Sequence, residues 1–264
     1  ARINKAGERV PTAPGVAVNA MDFAGRPALD FIPEDARPGA ILFFHGGGYI
    51  LGSPGSHKPF ISKLAAALNL RAVAPDYRLA PEHVFPAAVE DGTDTLEALR
   101  KQTDGPLLVA GDSAGGGLTL ASVIAHRDAG RPMPDGLYLM SPWTDLSASG
   151  ESTKTRAEAD PMLQPGYLAR GAELYLDGAD PCDPAASPLF ADLKGLPPTL
   201  IQVGAREILL DDSRRLAAAM EQAGVPVQCE VWDEMFHDFQ LFSPLLPEAD
   251  QALAHVKRWA DAHL

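Results

Sequence analysis

The chain of 264 residues predicts an α/β fold: one domain with a mainly parallel central sheet and helices on both faces. Two observations carry this. Short apolar runs alternate with helix-spaced segments over most of the length, and the sharpest runs end in glycine-rich turns that lead into helices. Ala40 to Phe44 is a strand closed by His45 and three glycines. The segment from His57 to Leu70 then places Phe60, Ile61, Leu64, Ala65 and Leu68 at helical spacing. Arg71 to Ala74 is the next strand, followed by a proline-bearing loop and a helix from Ala87 to Lys101 with Val89, Leu96 and Leu99 on one face. Pro106 to Ala110 runs into Gly111-Asp112-Ser113-Ala114-Gly115-Gly116, with a helix of small residues to Arg127. Leu137 to Met140, Thr199 to Val203 and Val227 to Trp232 complete the strands, and Asp211 to Ala223 and Glu248 to His263 the helices. Residues 146–197 form a polar, proline-rich insertion, helical over Pro165 to Leu176, which reads as a small helical cap.

Composition narrows the function classes. Hydrophobic residues are 46% and charged residues 22% of the chain, close to the globular average, so a sizeable core is expected. The formal charge is −13 with no basic cluster, which leaves nucleic acid and anionic membrane without an electrostatic footprint. Cys182 and Cys229 match no disulfide framework or metal-ligand spacing and read as free thiols. No apolar run is long enough to span a bilayer, and Ala1 to Lys5 are not followed by a signal-like apolar core. A soluble, cytoplasmic protein is expected, needing no metal and no cofactor.

Gly111-Asp112-Ser113-Ala114-Gly115 fits the G-x-S-x-G turn in which small neighbours allow a strained elbow to raise a serine oxygen above the sheet. A serine needs a base. Of the seven histidines, His126, His255 and His263 fall in helices and His57 and His83 precede the serine, against the serine, acid, histidine order of this arrangement. His237 follows the last strand, at the carboxyl end of the sheet where open α/β folds place their sites. The acid should follow the preceding strand. Glu207 stands there, with Asp211 as its rival, because acidic residues at 211 and 212 also complement a helix N-terminus. His45-Gly46-Gly47-Gly48 can turn backbone N–H groups into a pocket without side-chain obstruction. At average usage such a tetrapeptide appears by chance in about two or three chains of this size per thousand, so an oxyanion hole is the better reading than a flexible turn.

With these motifs the chain resembles the hormone-sensitive-lipase-like carboxylesterases of the α/β-hydrolase fold. The resemblance also takes in Asp76 to Glu82, Phe85 to Ala88 and Ser141-Pro142-Trp143, and so covers nearly the whole chain. It implies Ser113, Glu207 and His237 as triad, the N–H groups of Gly47, Gly48 and Ala114 as oxyanion hole, and His45 as a loop-fixing residue. Their motif neighbourhoods make Tyr49, Trp143, Phe239 and Met162 candidate substrate-pocket walls, with core packing an equally good reading for Met162. The family commonly carries Asp where Glu207 stands and builds part of its cap from N-terminal helices. Here residues 1–20, with Pro11, Pro14 and Gly15, discourage helix, so a reduced or missing N-terminal cap segment is expected. Asp76, Arg78 and Glu82 are read as a buried network under the oxyanion loop, and Asp112 as scaffolding of the elbow. The implied activity is hydrolysis of short- to medium-chain acyl esters or lactones through an acyl-enzyme, in a protein that can form a homodimer. A receptor on the same fold would have lost the histidine; an amidase or peptidase would share the triad.

Overall fold

The computed structural model describes residues 11–264. Eight strands form one sheet in the order β1-β2-β4-β3-β5-β6-β7-β8. These are β1 (Val16–Phe23), β2 (Arg26–Pro33), β3 (Ala40–Phe44), β4 (Arg71–Pro75), β5 (Leu107–Asp112), β6 (Gly136–Met140), β7 (Thr199–Gly204) and β8 (Val227–Trp232). The pairs from β4 through β8 are parallel, while β1 and β2 run antiparallel to their neighbours.

The inner parallel strands are mostly apolar because helices cover both faces, whereas β8 at the edge carries Gln228 and Glu230. In β3, Ile41 and Phe43 face one side with Phe60, Ile61 and Leu64 of α1 (Pro54–Leu68) and Val256 and Trp259 of α7 (Pro247–His263). Leu42 and Phe44 face the other side, where α2 (Ala87–Gln102), α3 (Ala114–Asp128) and α6 (Leu210–Gln222) contribute Leu96, Leu118 and Leu216. Helix α1 starts at a reciprocal cap: Ser53 Oγ accepts from the Ser56 amide at 3.3 Å, and Ser56 Oγ accepts from the Ser53 amide at 3.0 Å. Between β6 and β7 lie the short α4 (Ser152–Thr155) and α5 (Pro165–Leu176), followed by a 3-10 turn at Pro188–Phe190. No helix among the described residues is long and apolar enough to cross a membrane.

The β1–β2 hairpin departs from the sequence expectation. Residues 16–20, expected in a reduced cap segment, belong to β1, and residues 1–10 of that segment lie outside the described residues. The two strands meet at Ala24 and Gly25, both at positive φ (53° and 75°), the backbone that a two-residue turn between twisted strands requires. The hairpin lacks the Asn-Gly or Asp-Gly signal and carries Pro27 within β2, which obscures it in the sequence.

Candidate active site

Because β3, β5, β7 and β8 are parallel, their carboxyl ends lie on one rim, and each ends in a loop that carries part of the site. Strand β5 ends at Asp112, and the chain turns through Ser113 at φ 52° and ψ −121° into α3. Side chains rarely adopt such a φ, and the surroundings hold this one in place. The Ser113 amide donates to Met140 O at 2.9 Å, and Ser113 O accepts from the amides of Trp143, Gly116 and Gly117 at 2.9, 3.0 and 3.2 Å. Gly115 allows the helix to reach β3: a Cβ there would stand 2.0 Å from Phe44 O.

Glu207 follows β7 and His237 follows β8. Nδ1 of His237 and Oε2 of Glu207 are 2.8 Å apart and buried. The other carboxylate oxygen, Oε1, accepts from Ser141 Oγ at 2.8 Å and from the Gly204 amide at 2.6 Å. Two further bonds zip the acid and histidine loops together, Ala205 N to Trp232 O at 2.9 Å and Arg206 N to Met235 O at 3.0 Å. Asp211 does not reach the histidine. Its Oδ2 accepts from the Ser152 amide at 2.8 Å, a contact that ties α6 to α4. Among the described residues no hydrogen bond joins Ser113 Oγ to His237; instead Nε2 of the imidazole stands 2.9 Å from Oδ2 of Asp238. Burial works to lower the His237 pKa, but the carboxylates of Asp238 and Glu207 outweigh it and hold the pKa well above 6.5.

The glycine loop after β3 is fastened to the elbow by Asp112. Its Oδ1 accepts from the Gly46 amide at 3.0 Å, and its Oδ2 pairs with His57 Nε2 of α1, also at 3.0 Å. Gly47, at φ 131°, has no room for a side chain, since a Cβ would lie 2.0 Å from Leu51 O. Among the described residues the amides of Gly47 and Gly48 in this loop, and of Ala114 at the N-terminus of α3, donate to no protein acceptor. His45 is fully buried, and desolvation lowers its pKa to about 3, so the ring is neutral. It stacks on Tyr77 with centroids 4.3 Å apart.

Tyr77 supports the loop in a second way: its hydroxyl donates to His45 O at 2.6 Å. Tyr77→Phe is therefore expected to leave a buried carbonyl unpaired and lower stability by about 1 to 3 kcal/mol, read from the urea midpoint. The expected charged network does not form there. Asp76 and Glu82 are exposed, and Arg78 pairs instead with Asp91 and Glu90 of α2, at 2.7 and 2.9 Å.

Beside the glycine loop opens a cleft of about 430 Å³, lined by Gly46, Gly47, Leu51, Phe60, Leu241 and Leu245, among others. Met162 lines it, at 45% exposure. Tyr49, Trp143 and Phe239 do not line this cleft. Tyr49 is buried beneath the loop, stacked on Tyr175 with centroids 3.9 Å apart, and Trp143 is buried beside it. Phe239 packs into a small cluster with Ala249, Ala252 and Trp232. Several supports escape sequence reasoning. Asp160 accepts from the Ile208 amide at 2.9 Å, next to the acid. Asp212 accepts from the amides of Thr144 and Asp145 at 2.8 and 2.9 Å, and burial pushes its pKa up to about 7. Nothing local marks these carboxylates, whose partners lie tens of residues away.

The strand order, the serine turn, and the acid and histidine on loops after successive strands are those of an α/β hydrolase. Residues 41–241 match the model of a family described as alpha/beta hydrolase fold. An acetyl-hydrolase of Streptomyces hygroscopicus is 47% identical over 222 residues, covering 83% of this chain and 74% of that protein. An esterase of Acinetobacter venetianus is 39% identical over 253 residues, covering 95% and 84%. Among solved structures, a hormone-sensitive lipase from a metagenome library has 40% identity and a TM-score of 0.97, with 100% of this chain and 91% of that one covered. The chain belongs to the α/β-hydrolase family, in its hormone-sensitive-lipase-like carboxylesterase branch.

Proposed function

We propose that the protein hydrolyses carboxylic esters through an acyl-enzyme on Ser113. The observation that carries this reading is the buried 2.8 Å pair of His237 Nδ1 and Glu207 on the rim where the serine elbow ends β5. Ser113 Oγ attacks the acyl carbonyl while Nε2 of His237 takes its proton, and the imidazolium then protonates the leaving alkoxide. Glu207 holds the Nδ1–H tautomer and stabilises the cation. The amides of Gly47, Gly48 and Ala114 receive the tetrahedral oxygen, and water, activated by the same imidazole, releases the acid. For Nε2 to take the serine proton it must turn from Asp238 to Ser113; hydrogen bonds of this kind often tighten only when substrate is bound.

The apolar lining of the cleft suits short- to medium-chain acyl groups, and an intramolecular ester meets the same chemistry. Segment 146–197 acts as a small cap over the site, for it supplies Met162 to the cleft and Tyr167, whose hydroxyl lies 3.4 Å from where a Cβ on Gly48 would stand. A serine-directed fluorophosphonate tests the reading. The parent should be labelled and Ser113→Ala should not, with ester turnover in that variant down by roughly 10⁶-fold. An unlabelled parent would refute the reading.

A further inference from the structure

We infer that Asp238 is a positioning residue that competes with Ser113 for Nε2 of His237 and so restrains hydrolysis on the acid side of the pH profile. The inference rests on His237 being the base. Asp238 Oδ2 is 2.9 Å from Nε2, and both side chains are at least nine-tenths buried. Two features hold Asp238 in place. Its backbone is left-handed at φ 53°, and its amide donates at 3.2 Å to Ser141 Oγ, the same hydroxyl that donates to Glu207. Residue 238 is thus fixed by the group that fixes the acid.

The second carboxylate oxygen, Oδ1, is buried with no hydrogen-bond partner among the described residues. An ionised carboxylate so poorly solvated is stable only beside a cation. Burial, with Asp112 and Glu207 nearby, pushes the Asp238 pKa up to about 7. The other groups facing the pair are accounted for. Glu207 after β7 is bound to Nδ1, and Asp112 at the end of β5 is matched by His57 of α1 at 3.0 Å. Tyr138 of β6 is neutral, its pKa pushed up by burial, and its hydroxyl donates to Gln202 Oε1. Two cations face Asp238: His57, whose nearest carboxylate is Asp112, attracts it from a distance, while the His237 imidazolium stands directly against its Oδ2 at 2.9 Å.

An imidazole between two carboxylates retains its proton, and a protonated Nε2 cannot take one from serine. The sign follows. Activity rises with pH as the imidazolium deprotonates, and removing the Asp238 charge lets that happen at lower pH. An opposite charge at this range typically moves a pKa by about 1 to 3 units.

The test compares the pH profile of kcat/KM on 4-nitrophenyl butyrate, from about pH 5 to about pH 9, for the parent, Asp238→Asn and Asp238→Gly. Asn keeps the size of the side chain and tolerates the left-handed backbone; Gly adopts it freely. Both variants should move the acid limb down by about one pH unit or more, which raises kcat/KM on the acid side by about tenfold relative to the plateau. A limb that stays in place or moves up, in variants that melt like the parent, would overturn the inference. In parallel, the His237 ring is titrated by NMR without substrate, where both variants should titrate about one unit or more below the parent. This arm decides the matter even if the parent hydrolyses no ester, an outcome that would instead sink the proposed function.

Discussion

Replacing Glu207 with Gln is expected to lower kcat by about 10⁴-fold, although the substitution changes one atom. Two donors converge on Oε1, the Ser141 hydroxyl and the Gly204 amide. The amide N–H of Gly204 cannot reverse its role, so the carbonyl oxygen of a glutamine must occupy that position. The NH2 group then faces Nδ1 of His237, where Glu207 Oε2 now sits at 2.8 Å. It donates to that nitrogen and forces the tautomer with hydrogen on Nε2. Such an imidazole cannot take the serine proton. Asp211→Asn touches only the Ser152 contact and should keep kcat within about threefold of the parent. Initial rates on a short-chain nitrophenyl ester, with near-ultraviolet circular dichroism as a check on folding, separate the two. The reverse ranking would move the acid to Asp211.

Gly115→Ala is expected to be strongly destabilising although it adds a single methyl group. Alanine favours a helix over glycine by about 1 kcal/mol, so an open helical position would gain. Gly115 is not open: the new Cβ would lie 2.0 Å from Phe44 O and 2.6 Å from His45 O, both backbone atoms of β3 or the loop after it. Neither can retreat unless β3 pulls away from β5, with which it is paired from Ala40↔Leu107 to Phe44↔Gly111. Overpacking should therefore win, with a net loss of about 3 kcal/mol or more in stability and displacement of the glycine loop. Gly166→Ala in α5, with no atom within 4 Å of the added carbon, supplies the contrast. It should be neutral or raise stability by a few tenths of a kcal/mol. Urea midpoints of the two variants against the parent measure both effects.

What the sequence discloses and what it withholds divide along physical lines. The strand at Ala40–Phe44 coincides with its apolar run, since burial on both faces leaves no polar residue to blur the ends. The β1–β2 hairpin is half-exposed and carries neither a strong turn signal nor a clean alternation. In the site, Gly46 to Gly48 and Gly111 to Gly115 stand out because their chemistry is local and needs small residues in a row. His57 and Asp238 do not, because their importance lies in a partner: Asp112, 55 residues on, for the first, and the far side of a neighbouring imidazole for the second. Aromatic residues near motifs mislead in the same way. Tyr49, Trp143 and Phe239 look like pocket walls from their neighbours, yet each fills space behind the site.

The parallel rim gives the protein an internal gauge of its own foldedness. Ser113 is held by Met140 O from β6, Gly46 by Asp112 from β5, and the Glu207 loop by the chain after β8, so the proposed site is complete only in molecules in which β3 and β5 to β8 have docked in register. A covalent serine probe added during refolding would count those molecules one by one, where circular dichroism would also count chains that had only formed their helices.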